Sequence, residues 1–244
     1  MIRRTAALVL LLAGVAWAHF PIATPAELFL TKGKTTRVTW AYGHPYEVEQ
    51  APAAKPLRAR LFPPQGEPAA LSALALPGKP ARWAFDVTPT QRGDHLLLIE
   101  GAPLAHGQDQ VFDFSKLVLP VSGVERGWDR AAGAPLEIVP LTRPYGLPDQ
   151  VTLRAQVLRA GKPLAGAIVQ LERRNDAAPK QLPHPAFITR SEKTDAQGVF
   201  SASLTGPCWW ILAVEAPTGE KSPQGGQVVQ RATLWLHVGQ PRGE

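Results

Sequence analysis

The chain has 244 residues, 45% of them hydrophobic and 19% charged, a globular rather than a disordered composition. Its formal charge of +6 comes from 26 basic residues scattered among 20 acidic ones. No basic run or basic–aromatic interleaving is present, which excludes a nucleic-acid surface. A single cysteine, Cys208, and a single methionine exclude an internal disulfide and any thiolate or thioether cluster. A metal ion in this chain must therefore be held by nitrogen and oxygen.

The chain opens with Arg3 and Arg4, a mostly apolar run over 5–18, and Ala16-Trp17-Ala18, which fits the small-x-small rule of signal peptidase. Residues 1–18 read as a cleavable secretory signal peptide cut before His19, too short for the roughly 20 apolar residues of a membrane span. No later stretch is long and apolar enough to span, so the expectation is export to the periplasm or the extracellular space. Losing two arginines brings the net charge to +4, with 24 basic against 20 acidic residues.

Helical periodicity is almost absent. Short alternating or β-branched runs, broken by 25 prolines and 21 glycines, predict strands over 27–30, 35–42, 57–62, 82–87, 94–100 and 111–121. A polar, glycine-rich stretch over 123–135 (GVERGWDRAAGAP) reads as a linker. Strands follow over 136–140, 151–159, 167–173, 199–204, 210–215 and 228–238, with 175–185 a proline-rich surface loop. The expected architecture is all-β, two β-sandwich domains of Ig-like or prealbumin-like type after the signal peptide. The first covers 19–122 and the second 136–240. In the second, Ala160-Gly161-Lys162-Pro163 is a turn, and Thr194-Asp195-Ala196-Gln197-Gly198 is an Asx-type turn with a glycine suited to positive φ. That pairing resembles small prealbumin-like or carboxypeptidase-regulatory modules, which implies a fold and not an activity.

Chemistry is concentrated in the histidines. Cleavage before His19 would free an α-amine beside an imidazole, and the amine and Nδ1 together form a chelate. Imidazole nitrogen suits nickel, copper(II), zinc and cobalt. His44 sits in Tyr42-Gly43-His44-Pro45-Tyr46-Glu47, where glycine and proline force a turn at a strand end, with Glu47 and Glu49 near as oxygen donors or orienting partners. His95 begins an apolar strand, and His106 lies in a loop able to close over a site. His184 and His237 are expected to be structural, as is Cys208, a buried thiol before an apolar strand. The strings G-x-S-x-G and H-E-x-x-H are absent, as are phosphate loops and dinucleotide glycine patterns, so capture rather than catalysis is expected.

Taken together, Ala18-His19-Phe20, Gly43-His44-Pro45-Tyr46-Glu47, the string from Leu136 to Leu147 (LEIVPLTRPYGL) and Thr194-Asp195-Ala196-Gln197-Gly198-Val199-Phe200 carry a family resemblance. The chain resembles an uncharacterised extracytoplasmic family that includes periplasmic accessory components of nickel and cobalt uptake transporters. The resemblance implies a binding protein presenting nickel, or a similar ion such as copper, cobalt or zinc, to a membrane metal-uptake transporter. His19 and His44 match positions carried over as ligands. His95 and His106 are candidates to complete the shell from their own context. Two other readings stay open. One is a copper redox protein with an N-terminal histidine brace, and the other is a non-catalytic adhesion or carbohydrate-binding sandwich with incidental histidines.

Overall fold

Alternation of apolar and polar side chains along short segments builds strands almost exclusively, as the computed structural model shows over residues 19–175, 177 and 179–240. The expected signal peptide lies outside these described residues. Before 123–135 come β1 (Phe20–Pro25), β2 (Thr36–His44), β3 (Glu49–Ala51), β4 (Arg58–Phe62), β5 (Ala69–Ala70), β6 (Leu74–Leu76), β7 (Arg82–Val87), β8 (His95–Glu100), β9 (Leu104–His106) and β10 (Asp109–Leu119). After it come β11 (Leu136–Pro140), β12 (Gln150–Arg159), β13 (Lys162–Pro163), β14 (Ile168–Arg173), β15 (Thr189–Lys193), β16 (Val199–Thr205), β17 (Cys208–Lys221) and β18 (Gln227–Val238). One helical turn, α1 (Pro185–Ile188), closes the 175–185 loop; among the described residues no helix is long and apolar enough to cross a membrane.

The first strand is not where alternation puts it. Residues 27–30 contribute only a bridge from Leu30 to Val121, and the strand is β1, Phe-Pro-Ile-Ala-Thr-Pro. Two prolines remove two ladder donors, a pattern compatible with an edge strand, and β1 is the edge of its sheet.

Three sheets form. A five-stranded sheet runs β1-β2-β7-β6, with β3 also on β2. A four-stranded sheet has β11, β13 and β16 all paired to β12. Between them, a nine-stranded sheet runs β15-β14-β17-β18-β10-β8-β4-β5, with β9 beside β10. This middle sheet contains strands from both sides of 123–135, joined by parallel pairing of β10 with β18, from Gln110 opposite Val228 to Leu117 opposite Trp235.

Both faces of the middle sheet are covered, because successive side chains point to opposite sides. Leu97, Ile99, Leu117, Ile211, Ala213 and Trp235 pack with Val38, Trp40 and Phe85 of the five-stranded sheet. Trp210, Leu212, Val214, Leu234 and Leu236 pack with Ile138, Leu153, Val157 and Phe200 of the four-stranded sheet. The segment expected as a linker lies over the remaining face, with Ala132 and Ala134 buried against Leu96, Leu98 and Phe114. The Asx turn forms as its residues dictate: Asp195 Oδ1 accepts from Gln197 N at 2.9 Å and Val199 N at 2.8 Å, with Gly198 at φ 71°.

Candidate metal centre

Strand register assembles the site. β1 and β2 are antiparallel with Phe20 opposite Gly43, so His19, one residue further, falls opposite His44. On the other edge of β2, β3 returns with Glu49 opposite His44. Directly opposed residues share a face and are the closest side-chain neighbours in a sheet. His19, His44 and Glu49 therefore form one row across three strands.

The rings of His19 and His44 have centroids 4.5 Å apart at 56°. Glu49 reaches both, Oε1 at 3.8 Å from His19 Nε2 and Oε2 at 3.7 Å from His44 Nε2. These gaps are too long for hydrogen bonds. They are short enough for an ion, since two donors each about 2.1 Å from one metal stand no more than about 4.2 Å apart. The three donor atoms all lie within 4.8 Å of one another, so sharing one ion would draw them together by about half an ångström. His19 Nε2 is shielded from solvent and lacks a hydrogen-bond partner, an orphaned donor that an ion would satisfy. The side chains are graded in exposure, His44 at 16%, His19 at 41% and Glu49 at 57%, so the site opens outward from its deepest ligand.

Burial pushes the His44 imidazole below its ordinary range; Glu47 opposes the shift, His19 adds to it and Glu49 opposes it. The ring is thus neutral at neutral pH, the form that ligates. The turn between β2 and β3 is held from outside: Glu172 Oε1 accepts from Tyr46 N at 3.0 Å, and Asn175 N donates to Pro45 O at 3.0 Å. Val48, just before Glu49, sits at φ 62°, an uncommon conformation for a β-branched residue that costs about 1–3 kcal/mol.

The other candidates lie apart from this group. His95 is buried at the start of β8, its Nδ1 3.2 Å from Gly93 O and its Nε2 without a hydrogen-bond partner. His95 begins β8 in the middle sheet, whereas the converging group is His19, His44 and Glu49 on the five-stranded sheet. His106 is exposed on β9, opposite Asp109. His184 Nδ1 caps α1, accepting from Ala186 N at 3.3 Å. The His237 ring meets Trp209 edge-on at 5.3 Å. Cys208 Sγ donates to Thr205 O at 3.3 Å. The contribution of Glu172, 126 residues from Tyr46, left no mark in the sequence, because register between distant strands is not encoded locally.

Fold and site together define an all-β protein with a two-imidazole, one-carboxylate row at one end of a sheet. The chain belongs to the family described as Domain of unknown function (DUF4198), whose model matches residues 16–218 and so takes in all three donors. No curated protein matches it. Among solved structures it is similar to a DUF4785 family protein from Legionella pneumophila, at 12% identity and a TM-score of 0.34, over 81% of this chain and 52% of that one. It is also similar to the D0-D1 domain of intimin, at 11% identity and a TM-score of 0.24, over 89% and 98%. Trypsin-activated alpha-2-macroglobulin from Escherichia coli is a third, at 10% identity and a TM-score of 0.28, over 91% and 16%. The chain thus spans about half the length of the Legionella protein and a small part of the macroglobulin.

Proposed function

We propose that this protein is an extracytoplasmic binding protein for a divalent transition metal, nickel first, that captures the ion and hands it to a membrane metal-uptake transporter. The observation that carries the reading is the convergence of His19, His44 and Glu49 from three adjacent strands around an orphaned imidazole nitrogen. Two imidazoles and one carboxylate suit nickel, copper(II), zinc or cobalt better than calcium or magnesium, which take all-oxygen shells. The partial exposure of His19 and Glu49 supports capture and release over permanent structural binding. The expected signal peptide supports a place outside the cytoplasm, and the resemblance carried by the strings around His19 and His44 supports a transporter as recipient.

The ring nitrogen of His19 facing Glu49 is Nε2, whereas a chelate with a freed α-amine would use Nδ1. One titration separates the two arrangements. Nickel, copper(II) and zinc are titrated calorimetrically into the protein beginning at His19, into the same protein with one extra N-terminal alanine, and into His44→Ala. One-to-one nickel binding that survives the added alanine and falls at least tenfold in His44→Ala is the expected result for the Nε2 row. Loss on adding alanine assigns the amine chelate. Equally weak binding by all three proteins overturns metal capture.

A further inference from the structure

Two cavities flank His44, and they differ in charge. One, of about 330 Å³, has Glu47 and Glu172 in its wall beside Phe20 and His44. The other, of about 270 Å³, shares His44 and Glu49 with the metal row but is walled on its far side by Arg82 and Arg174. Among the described residues Glu49 is the one carboxylate in that second wall; Thr24, Thr39, Gln50 and Asn175 supply further polar groups.

Arg82 is the pointed observation. Its Nε is shielded from solvent and has no hydrogen-bond partner, and its Nη2 reaches only the Pro77 carbonyl at 3.5 Å. Arg82 lines the cavity and has no carboxylate partner among the described residues, so its guanidinium can donate a charge-assisted hydrogen bond to an anion held there. Arg174 is brought to the same wall by its backbone, whose N–H donates to Trp209 O at 2.7 Å while the next residue is bonded to Pro45. Three protein donors leave coordination positions of a nickel-like ion open, and the cavity begins at two of those donors.

Resting on the metal-binding reading above, we infer that the cation-walled cavity seats the organic part of a metal chelate, a small polycarboxylate with one carboxylate on the ion and another on Arg82. At about 270 Å³ the cavity has room for a small organic molecule. Charge selects the side. A carboxylate entering past Glu47 and Glu172 meets like charge, whereas past Arg82 it meets a guanidinium. Glu49 would hold the ion together with the incoming carboxylate, so the acidic group in the wall would act as a partner rather than a repeller. Chelated cargo would reach the site whole, without first shedding its ligand in solution.

The test compares nickel(II) alone with equimolar nickel citrate, titrated into the protein, Arg82→Met and Glu49→Gln. Methionine keeps the apolar stem of the side chain and removes the guanidinium. The expected result is that Arg82→Met binds nickel alone as the parent does but binds nickel citrate roughly 10- to 100-fold more weakly, while Glu49→Gln loses both. If citrate strips nickel from parent and Arg82→Met equally, the chelate pocket is overturned and the metal site stands. If the parent binds neither, the metal reading itself fails.

Discussion

Gly43 lies between His44, a proposed ligand, and the core residue Tyr42, and a Cβ built there would overlap the Glu49 carbonyl oxygen. Because the obstacle is backbone, it has no rotamer to move into, and a side chain at 43 must push β3 and its carboxylate away from β2. Gly43→Ala is therefore expected to lower unfolding free energy by about 1–3 kcal/mol and to weaken nickel binding more than tenfold. Glu49→Gln serves as the comparison: the carboxylate is largely exposed and, on the proposed function, ligates without packing, so nickel is expected to be lost while the urea midpoint of the metal-free protein stays in place. Nickel affinity unchanged in Gly43→Ala would show that Glu49 is not held by the β2–β3 ladder. Much of this side-chain cluster is legible in the sequence. A histidine after a cleavage motif and one in a Gly-His-Pro turn are two of its three members, and Glu49 is within reach of the same turn. His95 and His106 do not extend the row, because composition and alternation say which residues are polar at strand ends but not which ends meet.

At the level of elements, the most informative string is Leu136-Glu137-Ile138-Val139-Pro140, which forms β11 in full. Glu137 is buried, and its carboxylate receives Lys116 Nζ at 2.7 Å together with the backbone N–H groups of Ala132 at 2.6 Å, Gly133 at 3.0 Å and Ala134 at 3.4 Å. One side chain thus neutralises a buried lysine on β10 and folds the 131–134 segment over the middle sheet. Burial lowers the Lys116 ammonium from its ordinary value against the opposing pull of Glu137. Glu137→Leu orphans three amides and an ammonium, and is expected to cost about 3–5 kcal/mol. Lys116→Met leaves the carboxylate with its amide donors and is expected to cost clearly less. Denaturant midpoints decide; the reverse order would mean that the lysine, not the amide cluster, anchors the segment. A glycine-rich, aperiodic sequence reads as a linker because its order comes from a carboxylate outside it, and local patterning carries no trace of that.

Across the whole molecule, the middle sheet explains why β17 and β18 read as continuous apolar runs rather than alternating ones: both of their faces are buried. Alternation alone reveals two faces per strand but not which sheet covers each, so strands on either side of 123–135 look like separate sandwiches while β10 and β18 pair directly. One polar row interrupts this layer. Arg231, fully buried, bonds Asp113 through Nε at 2.5 Å and Nη2 at 3.1 Å, and Asp113 also accepts from the Tyr42 hydroxyl. Glu215, opposite Arg231 on β17, stands 3.6 Å away from Nη1 without a hydrogen bond. Asp113 already satisfies the guanidinium charge, so Glu215 pays desolvation for little return, and burial pushes its carboxyl from 4.5 up to about 7.

That shift sets a sign. Between pH 4.5 and about 7 the folded protein holds a proton on Glu215 that the unfolded chain has released, so this group's contribution to stability is complete below the window and is lost as pH rises through it. The loss amounts to at most about 3 kcal/mol. Glu215→Gln keeps the shape and cannot ionise. Its urea midpoint, measured against the parent, is expected to gain steadily from pH 5 to pH 7.5 and then level off, the difference cancelling every other titrating group. A gap between the two proteins that stays constant over that range would show Glu215 ionised throughout and paired with Arg231 in full. The direction would then reverse the reading of the row, from a carboxyl held neutral by the core to a charge the core was built to accept.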